Sequence, residues 1–121
     1  MKKKKVESYL TIRQIQNWEK NFVKKKGIVL DEDASIKIAV YKLVEEVGEV
    51  AKALLEGNWN EIQAEISDVI IFACKIANIA EKFHGADKLT DVLRRKMKYC
   101  ETRTYDKKKT KFNKPKNREF K

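Results

Sequence analysis

The sequence predicts an all-α protein with four main helices packed as an antiparallel bundle. The chain of 121 residues contains one Pro and four Gly, so residues that break helices are few. Its apolar residues recur every three to four positions, which is the spacing of one helix face, and runs of alternating apolar residues are scarce. A chain of this length forms one domain with a small core, so we expect homo-oligomerisation to complete the bundle.

The first predicted helix begins after Thr11, which forms a capping box with Gln14. It ends at Gly27, after a last turn rich in lysine. Trp18 lies at the edge of its apolar face. The residues expected to be buried on that face are Ile12, Ile15, Phe22 and Val23.

The second predicted helix is capped by Asp33 or Ser35 and ends at Gly57. The third helix is capped by Asn60 paired with Gln63, and it ends at His84. It is apolar nearly all round, because four residues widen its main stripe: Ile70, Phe72, Ala77 and Ile79. A helix of this kind is buried on more than one side, so we expect a second subunit to cover it, in a homodimer or a homotetramer.

The fourth predicted helix runs from Asp87 or Lys88 to Thr104 and is distinctly basic. The predicted domain organisation is a basic N-terminal arm (1–10), a helical domain (11–105) and a basic C-terminal tail (106–121). Most of the net charge of +10 lies in the two ends, because Lys2 to Lys5 are all basic and eight of the residues 107–121 are Lys or Arg. Such ends either solubilise the protein or bind nucleic acid through phosphates. The alternative function is therefore a basic helical nucleic-acid-binding or interaction protein whose acidic clusters are structural.

The sequence contains no apolar stretch typical of a membrane span or a signal peptide. We therefore expect a cytoplasmic protein without a membrane partner. Cys74 and Cys100 lack the spacing of a metal site and are expected to be reduced thiols.

Two acidic clusters interrupt the apolar helices: Glu45, Glu46 and Glu49 in the second, and Glu65 and Asp68 in the third. A helix turns by about 100° per residue, so Glu46 and Glu65 both lie about 60° from the middle of the apolar stripe of their helix. Glu49 and Asp68 both lie about 120° from it, on the same side. Because a short connector makes the two helices antiparallel, these four carboxylates are expected to converge on one edge of the pair.

Converging carboxylates repel one another, at a cost on the order of several kcal/mol near an apolar seam unless a proton or a cation neutralises them. A hard divalent cation is the simplest solution, so we expect a Mg²⁺ site, with Mn²⁺ as the second candidate. The alternative is an acidic helix face exposed to solvent, with ordinary ion pairs to Lys42 and Lys52.

These motifs resemble a known family. The segment from Lys42 to Ala51 reads K-L-V-E-E-V-G-E-V-A, and the segment from Glu65 to Ile70 reads E-I-S-D-V-I. This pattern of E-E-x-x-E, a spacer and E-x-x-D is similar to the signature of the MazG-like, all-α nucleoside triphosphate pyrophosphohydrolases. The resemblance extends from about Thr11 to Arg103.

The resemblance implies hydrolysis of a nucleoside triphosphate to a monophosphate and pyrophosphate, with nucleotide-pool house-cleaning as a role. It implies that five carboxylates form the catalytic set: Glu45, Glu46, Glu49, Glu65 and Asp68. Glu46, Glu49, Glu65 and Asp68 would hold the metal. Three roles stay open for Glu45, namely orienting water, pairing with a cation or facing another subunit. The base and the sugar also stay open, since phosphoribosyl-ATP pyrophosphohydrolases and dimeric dUTPase-like enzymes share these features.

Three further residues are predicted to bind the substrate. The resemblance implies that Trp18 stacks on the base, and the alternative for it is a core or interface aromatic. Lys96 and Arg103 match the ends of a K-M-x-x-N-x-x-R pattern that supplies phosphate and base contacts, with Cys100 in place of the Asn. They are predicted phosphate ligands, with an exposed basic face as the alternative.

Overall fold

The computed structural model describes residues 8–28 and 32–113, without the side chains of residues 32–34. It contains four helices, α1 (Ile12–Lys25), α2 (Glu32–Leu55), α3 (Trp59–His84) and α4 (Leu89–Glu101), followed by β1 (Tyr105–Asp106) and β2 (Lys111–Phe112). The predicted all-α class is confirmed. The two short antiparallel strands were not predicted; β1 spans the predicted start of the tail, and β2 lies within the tail.

The chain divides into two compact units, one ending at Ala86 and the other beginning at Asp87. The first contains α1, α2 and α3, and the second contains α4 and the two strands. Lys2 to Lys5 of the predicted arm and residues 114–121 of the predicted tail lie outside the described residues. The four-helix antiparallel arrangement, the oligomer and the three domain boundaries stay predictions.

Capping residues and glycines fix the helix ends of the first unit. Thr11 Oγ1 accepts a hydrogen bond from the Gln14 amide at 3.1 Å, and Gln14 Oε1 accepts one from the Thr11 amide at 2.7 Å. The predicted capping box is thus confirmed. Gly27 and Gly57 each follow a helix with a positive φ, of 67° and 68°. A side chain there would be strained, so glycine ends both helices as predicted.

Two other predicted caps are wrong. The second helix already begins at Glu32, so Asp33 and Ser35 lie inside it. The third helix is capped by Asn58, whose side-chain oxygen accepts a hydrogen bond from the Glu61 amide at 3.1 Å. Asn58 directly follows the left-handed Gly57 and has the extended backbone that a cap requires. The connector between α2 and α3 is therefore shorter than the sequence indicated.

Helix α3 is central to the first unit, because it packs against both α1 and α2. Three residues connect α2 to α3, so two long helices in contact form a helical hairpin. Ala39 and Ala53 of α2 are only 1% and 2% exposed. These small side chains allow the two helix backbones to approach each other closely.

Helix α1 packs on α3 through polar residues. Gln16, Glu19 and Asn78 are all buried. The Asn78 side-chain amide donates to the Gln16 carbonyl at 3.0 Å and to Glu19 Oε1 at 2.9 Å, while Gln16 Nε2 donates to Asn78 Oδ1 at 3.0 Å. The predicted buried face of α1 is thus only partly correct. Val23 is buried, whereas Phe22 is exposed and stacks on Trp18 with 5.0 Å between ring centroids.

The second unit is held together at its end by Arg103. Its Nε donates to the Asn113 carbonyl at 3.2 Å and its Nη2 to the Phe112 carbonyl at 3.3 Å. The guanidinium also lies 5.5 Å from the centre of the Phe112 ring. Arg103 therefore fastens the two-stranded sheet to the end of α4, whose residues all remain at least partly exposed.

The two cysteines differ in exposure. Cys74 of α3 is buried and Cys100 of α4 is exposed, and both are free thiols. Burial raises the pKa of Cys74 above its ordinary value. Among the described residues, no helix is long and apolar enough to cross a membrane.

We expect Asn78→Ala to lower the free energy of unfolding by about 2 to 3 kcal/mol, because Gln16 and Glu19 lose their buried hydrogen-bond partner. The measurement is urea denaturation followed by circular dichroism. Asn17→Ala, on the exposed side of α1, is the matched control and should change stability by less than about 0.5 kcal/mol. Equally small losses of stability in both variants would contradict the proposed contribution of this hydrogen-bond network.

Candidate metal centre

Three carboxylates from two helices meet at one place in the first unit. One carboxylate oxygen from each of Glu46, Glu65 and Asp68 lies within 4.8 Å of the other two. Glu65 and Asp68 are three residues apart on α3, so they share one side of that helix. Glu46 comes from α2, so the cluster forms where α2 packs beside this side of α3.

The sequence of α2 explains why Glu46 reaches α3. Ala39, Glu46 and Ala53 are spaced by seven residues, which is two helical turns, and thus lie on one stripe. The alanines at both ends of the stripe are buried, and Glu46 is partly buried between them. Because α2 packs mainly on α3, this buried stripe faces α3, and Glu46 reaches Glu65 from it.

The neighbouring carboxylates change the acidity of Glu65. Its pKa is raised from 4.5 to about 7, mainly by hydrogen bonding with Glu46 and then with Glu61. Burial and the negative charges of the same two carboxylates contribute less. A cation bound beside Glu65 would favour its ionised form and lower this pKa.

Glu61 also belongs to the acidic residues around Glu65, and it was not predicted from the sequence. It lies four residues before Glu65, so both project from the same side of α3. That spacing is visible in the sequence, but Glu61 lies outside the E-x-x-D motif on which the prediction of the metal site rests. The corrected helix start at Trp59 places Glu61 inside the first turn, where its amide is capped by Asn58.

The other predicted carboxylates are outside the group of three. Glu49 is exposed and does not belong to the set of oxygens within 4.8 Å of one another. Glu45 is also exposed, and its Oε2 lies 3.3 Å from Lys42 Nζ. The metal-binding role of Glu49 and the catalytic role of Glu45 stay predictions.

Trp18 lines an apolar pocket of about 370 Å³ in the first unit. Its side chain is 50% exposed. The pocket is also lined by Gln14 and Ile15 from α1 and by Ser67 from α3. Since Ser67 directly precedes Asp68, the aromatic pocket and the acidic cluster use the same turn of α3.

Lys96 and Arg103 lie in the second unit. Lys96 Nζ is 5.2 Å from the centre of the Tyr99 ring. Arg103 donates to backbone carbonyls of the two-stranded sheet, as described above. Their predicted role as phosphate ligands stays a prediction.

The chemistry of the cluster suits a hard divalent cation. All three side chains offer carboxylate oxygens, which Mg²⁺ and Mn²⁺ prefer as ligands, whereas softer metals prefer nitrogen or sulfur. The raised pKa of Glu65 reflects the proximity of these carboxylates, which repel one another when all are ionised. A bound cation would offset that repulsion.

Comparison with known families gives one match. The family model described as the MazG nucleotide pyrophosphohydrolase domain matches residues 35–106, which is more than half of the chain. The matched range contains both acidic clusters and α4, and it does not include Trp18. No curated protein and no solved structure gives a significant match.

In the absence of divalent cations, we expect the free energy of unfolding to fall as the pH rises from 4.5 through about 7. The folded state keeps the Glu65 proton over that range, whereas the unfolded state loses it, so the stabilisation present at low pH disappears. The measurement is urea denaturation in a chelator at several pH values.

Glu65→Gln should flatten this dependence, because glutamine cannot ionise. Glu56→Gln removes an exposed carboxylate from the connector and should leave the slope unchanged. The same slope in the wild type and in Glu65→Gln would disprove that Glu65 causes the pH dependence of stability.

Proposed function

The chain belongs to the MazG nucleotide pyrophosphohydrolase family, and we propose that it hydrolyses a nucleoside triphosphate to the monophosphate and pyrophosphate with the help of Mg²⁺. The observation that carries the proposal is the group of three carboxylates within 4.8 Å. A cytoplasmic role in clearing the nucleotide pool agrees with this activity.

Glu46, Glu65 and Asp68 are the proposed metal ligands. Bound Mg²⁺ would neutralise the charge on phosphate oxygens and make the phosphorus easier to attack. Glu49 lies one turn after Glu46 and is the proposed fourth ligand. We also assign to a carboxylate of this cluster the role of accepting the proton of an attacking water.

The ion pair between Glu45 and Lys42 supports one of the three roles left open for Glu45. A carboxylate paired with a lysine at 3.3 Å holds that cation on the outer side of α2. We therefore assign Glu45 to cation pairing beside the metal ligands, where it adjusts the local charge without binding metal.

Trp18 is the proposed base-stacking residue. The apolar lining of its pocket suits the face of a nucleobase. The proximity of Ser67 to Asp68 in the chain would place the phosphates toward the acidic cluster. A nucleotide could then contact the Trp18 pocket with its base and the acidic cluster with its phosphates.

Lys96 and Arg103 are the proposed phosphate ligands of the second unit, and this assignment rests on the sequence pattern. Arg103 would have to exchange its hydrogen bonds to the Phe112 and Asn113 carbonyls for bonds to phosphate. Lys96 would only have to leave the Tyr99 ring, so its role requires the smaller change.

We expect pyrophosphate release from at least one member of a panel of canonical and modified nucleoside triphosphates, and only with Mg²⁺ or Mn²⁺. Glu46→Gln and Asp68→Asn should lower the rate by roughly 100-fold or more, because each removes a metal ligand. The measurement is a coupled pyrophosphate assay.

Glu56→Gln is the matched control, because it removes an exposed carboxylate away from the cluster and should keep full activity. Circular dichroism establishes that the variants are folded. Lack of release from every nucleotide, with either metal, would overturn the proposed reaction.

We also propose that the protein is a homo-oligomer. Besides the face that packs on α3, helix α2 carries apolar side chains at helical spacing that the described residues leave exposed by 40% to 65%: Val40, Val44, Val47 and Leu54. This stripe continues the apolar surface of the hairpin. A second copy that covers it would bury a face that otherwise meets water.

We expect Val44→Glu combined with Val47→Glu to shift the protein to a smaller assembly, because two charges would then lie in the proposed interface. The measurement is light scattering after size-exclusion chromatography. Lys52→Glu, which changes an exposed charge on the opposite side of α2, should keep the wild-type mass. A wild-type chain that is monomeric at high concentration would refute the oligomer.

A further inference from the structure

A second cavity lies between α1 and α3, away from the acidic cluster. Its volume is about 710 Å³, and its lining includes Glu19, Val23, Asn78 and Phe83. It shares no lining residue with the pocket of Trp18. Asn78 lies ten residues after Asp68, or roughly 15 Å along α3. The cavity is therefore a separate place on the first unit.

A buried carboxylate in this cavity lacks a hydrogen-bond partner. Glu19 is only 4% exposed, and its Oε1 accepts a hydrogen bond from Asn78 at 2.9 Å. Its Oε2 has no partner among the described residues. Native proteins rarely leave such an oxygen unsatisfied. Glu19 lines the cavity, so a ligand amino group that reaches its carboxylate can supply the missing hydrogen bond.

The side-chain amides of Asn78 and Gln16 cannot donate to this oxygen without losing bonds of their own. The Asn78 side-chain amide already donates to the Gln16 carbonyl and to Glu19 Oε1. Gln16 Nε2 already donates to Asn78 Oδ1 and to Glu81 Oε2. The base of the cavity thus offers an acceptor and calls for a ligand that donates N–H groups.

The rest of the cavity selects for a larger molecule with an anionic end. Val23, Ile79 and Phe83 provide apolar walls. Lys20, Lys24 and Lys82 also line it and are exposed, so they form a basic rim. Glu81 lines the cavity as well, but its carboxylate is bonded to Gln16 and lies 3.5 Å from Arg13, so the balance of charge at the rim stays positive. The volume of the cavity is in the range of small-molecule sites.

We propose that this cavity binds a nucleoside monophosphate whose base carries an amino group. The amino group donates to Glu19, the base packs between the apolar walls, and the phosphate meets the basic rim. The proposal does not rest on the proposed hydrolysis, since it requires neither a metal nor the acidic cluster. Its ligand nevertheless belongs to the product class of that reaction.

The test is a titration of the full chain with adenosine monophosphate, without divalent cations, followed by two-dimensional NMR of the backbone amides. The expected result is saturable shifts at Val23, Asn78 and Phe83, and not at Asp68. Purine riboside 5′-monophosphate, which lacks the amino group, should bind roughly tenfold more weakly, because a hydrogen bond to a charged group is lost. Equal affinity for the two nucleotides, shifts centred on Asp68 or no shifts would each overturn the proposal.

Two variants test the contact with the amino group of the base and the contact with the phosphate separately. Glu19→Gln should weaken binding of adenosine monophosphate roughly tenfold, because an acceptor oxygen is replaced by a donor. Lys24→Glu, at the exposed rim, should weaken it about three- to tenfold and keeps the proposal testable if Glu19→Gln does not fold. Lys25→Glu is the matched control, since it is exposed on the same helix and does not line the cavity. Equal affinity of Lys24→Glu and Lys25→Glu for adenosine monophosphate would exclude the basic rim as the phosphate site.

Discussion

The close packing of α2 on α3 forces like charges together, and the candidate metal centre depends on this constraint. Alanines at positions 39 and 53 are buried on the stripe of α2 that faces α3, and Glu46 lies midway between them on the same stripe. The packed hairpin therefore holds Glu46 against Glu65, although the two carboxylates repel when both are ionised. Apolar burial elsewhere along the hairpin offsets this repulsion. The arrangement is thus stabilised by packing and left ready for a cation.

Much of this hairpin could be predicted from the sequence, because the relevant signals are local or periodic. Gly27 and Gly57 mark helix ends, and the angles of Glu46 and Glu65 on their helices put both on the same edge. The structure brings these two together with Asp68 but leaves Glu49 outside the group of three. The difference arises because a helical wheel gives the direction of a side chain and not its reach. The cap at Asn58 was missed for a related reason, since two asparagines two residues apart are equivalent as sequence signals.

The polar seam of α1 could not be predicted in the same way. Periodicity assigns apolar residues to the inner face, but Gln16, Glu19 and Asn78 satisfy most of one another's hydrogen bonds and occupy that face instead. Asn78 is distant in sequence from α1, so nothing local in α1 indicates its partner. The short strands after α4 were missed because lysine-rich sequence normally indicates an unstructured end. Arg103 overcomes that tendency through backbone hydrogen bonds.

The contrast between the two thiols makes the chain selectively addressable by chemistry. Reactivity toward alkylating reagents requires an accessible thiolate, and Cys74 is both enclosed and less acidic than an ordinary cysteine. Cys100 is open to reagents, so a maleimide dye would attach there alone while the fold is intact. Since Cys100 stands one turn after Lys96, such a dye would sense changes around that lysine. The native sequence thus already contains a fluorescence handle on α4, and no engineered cysteine is needed.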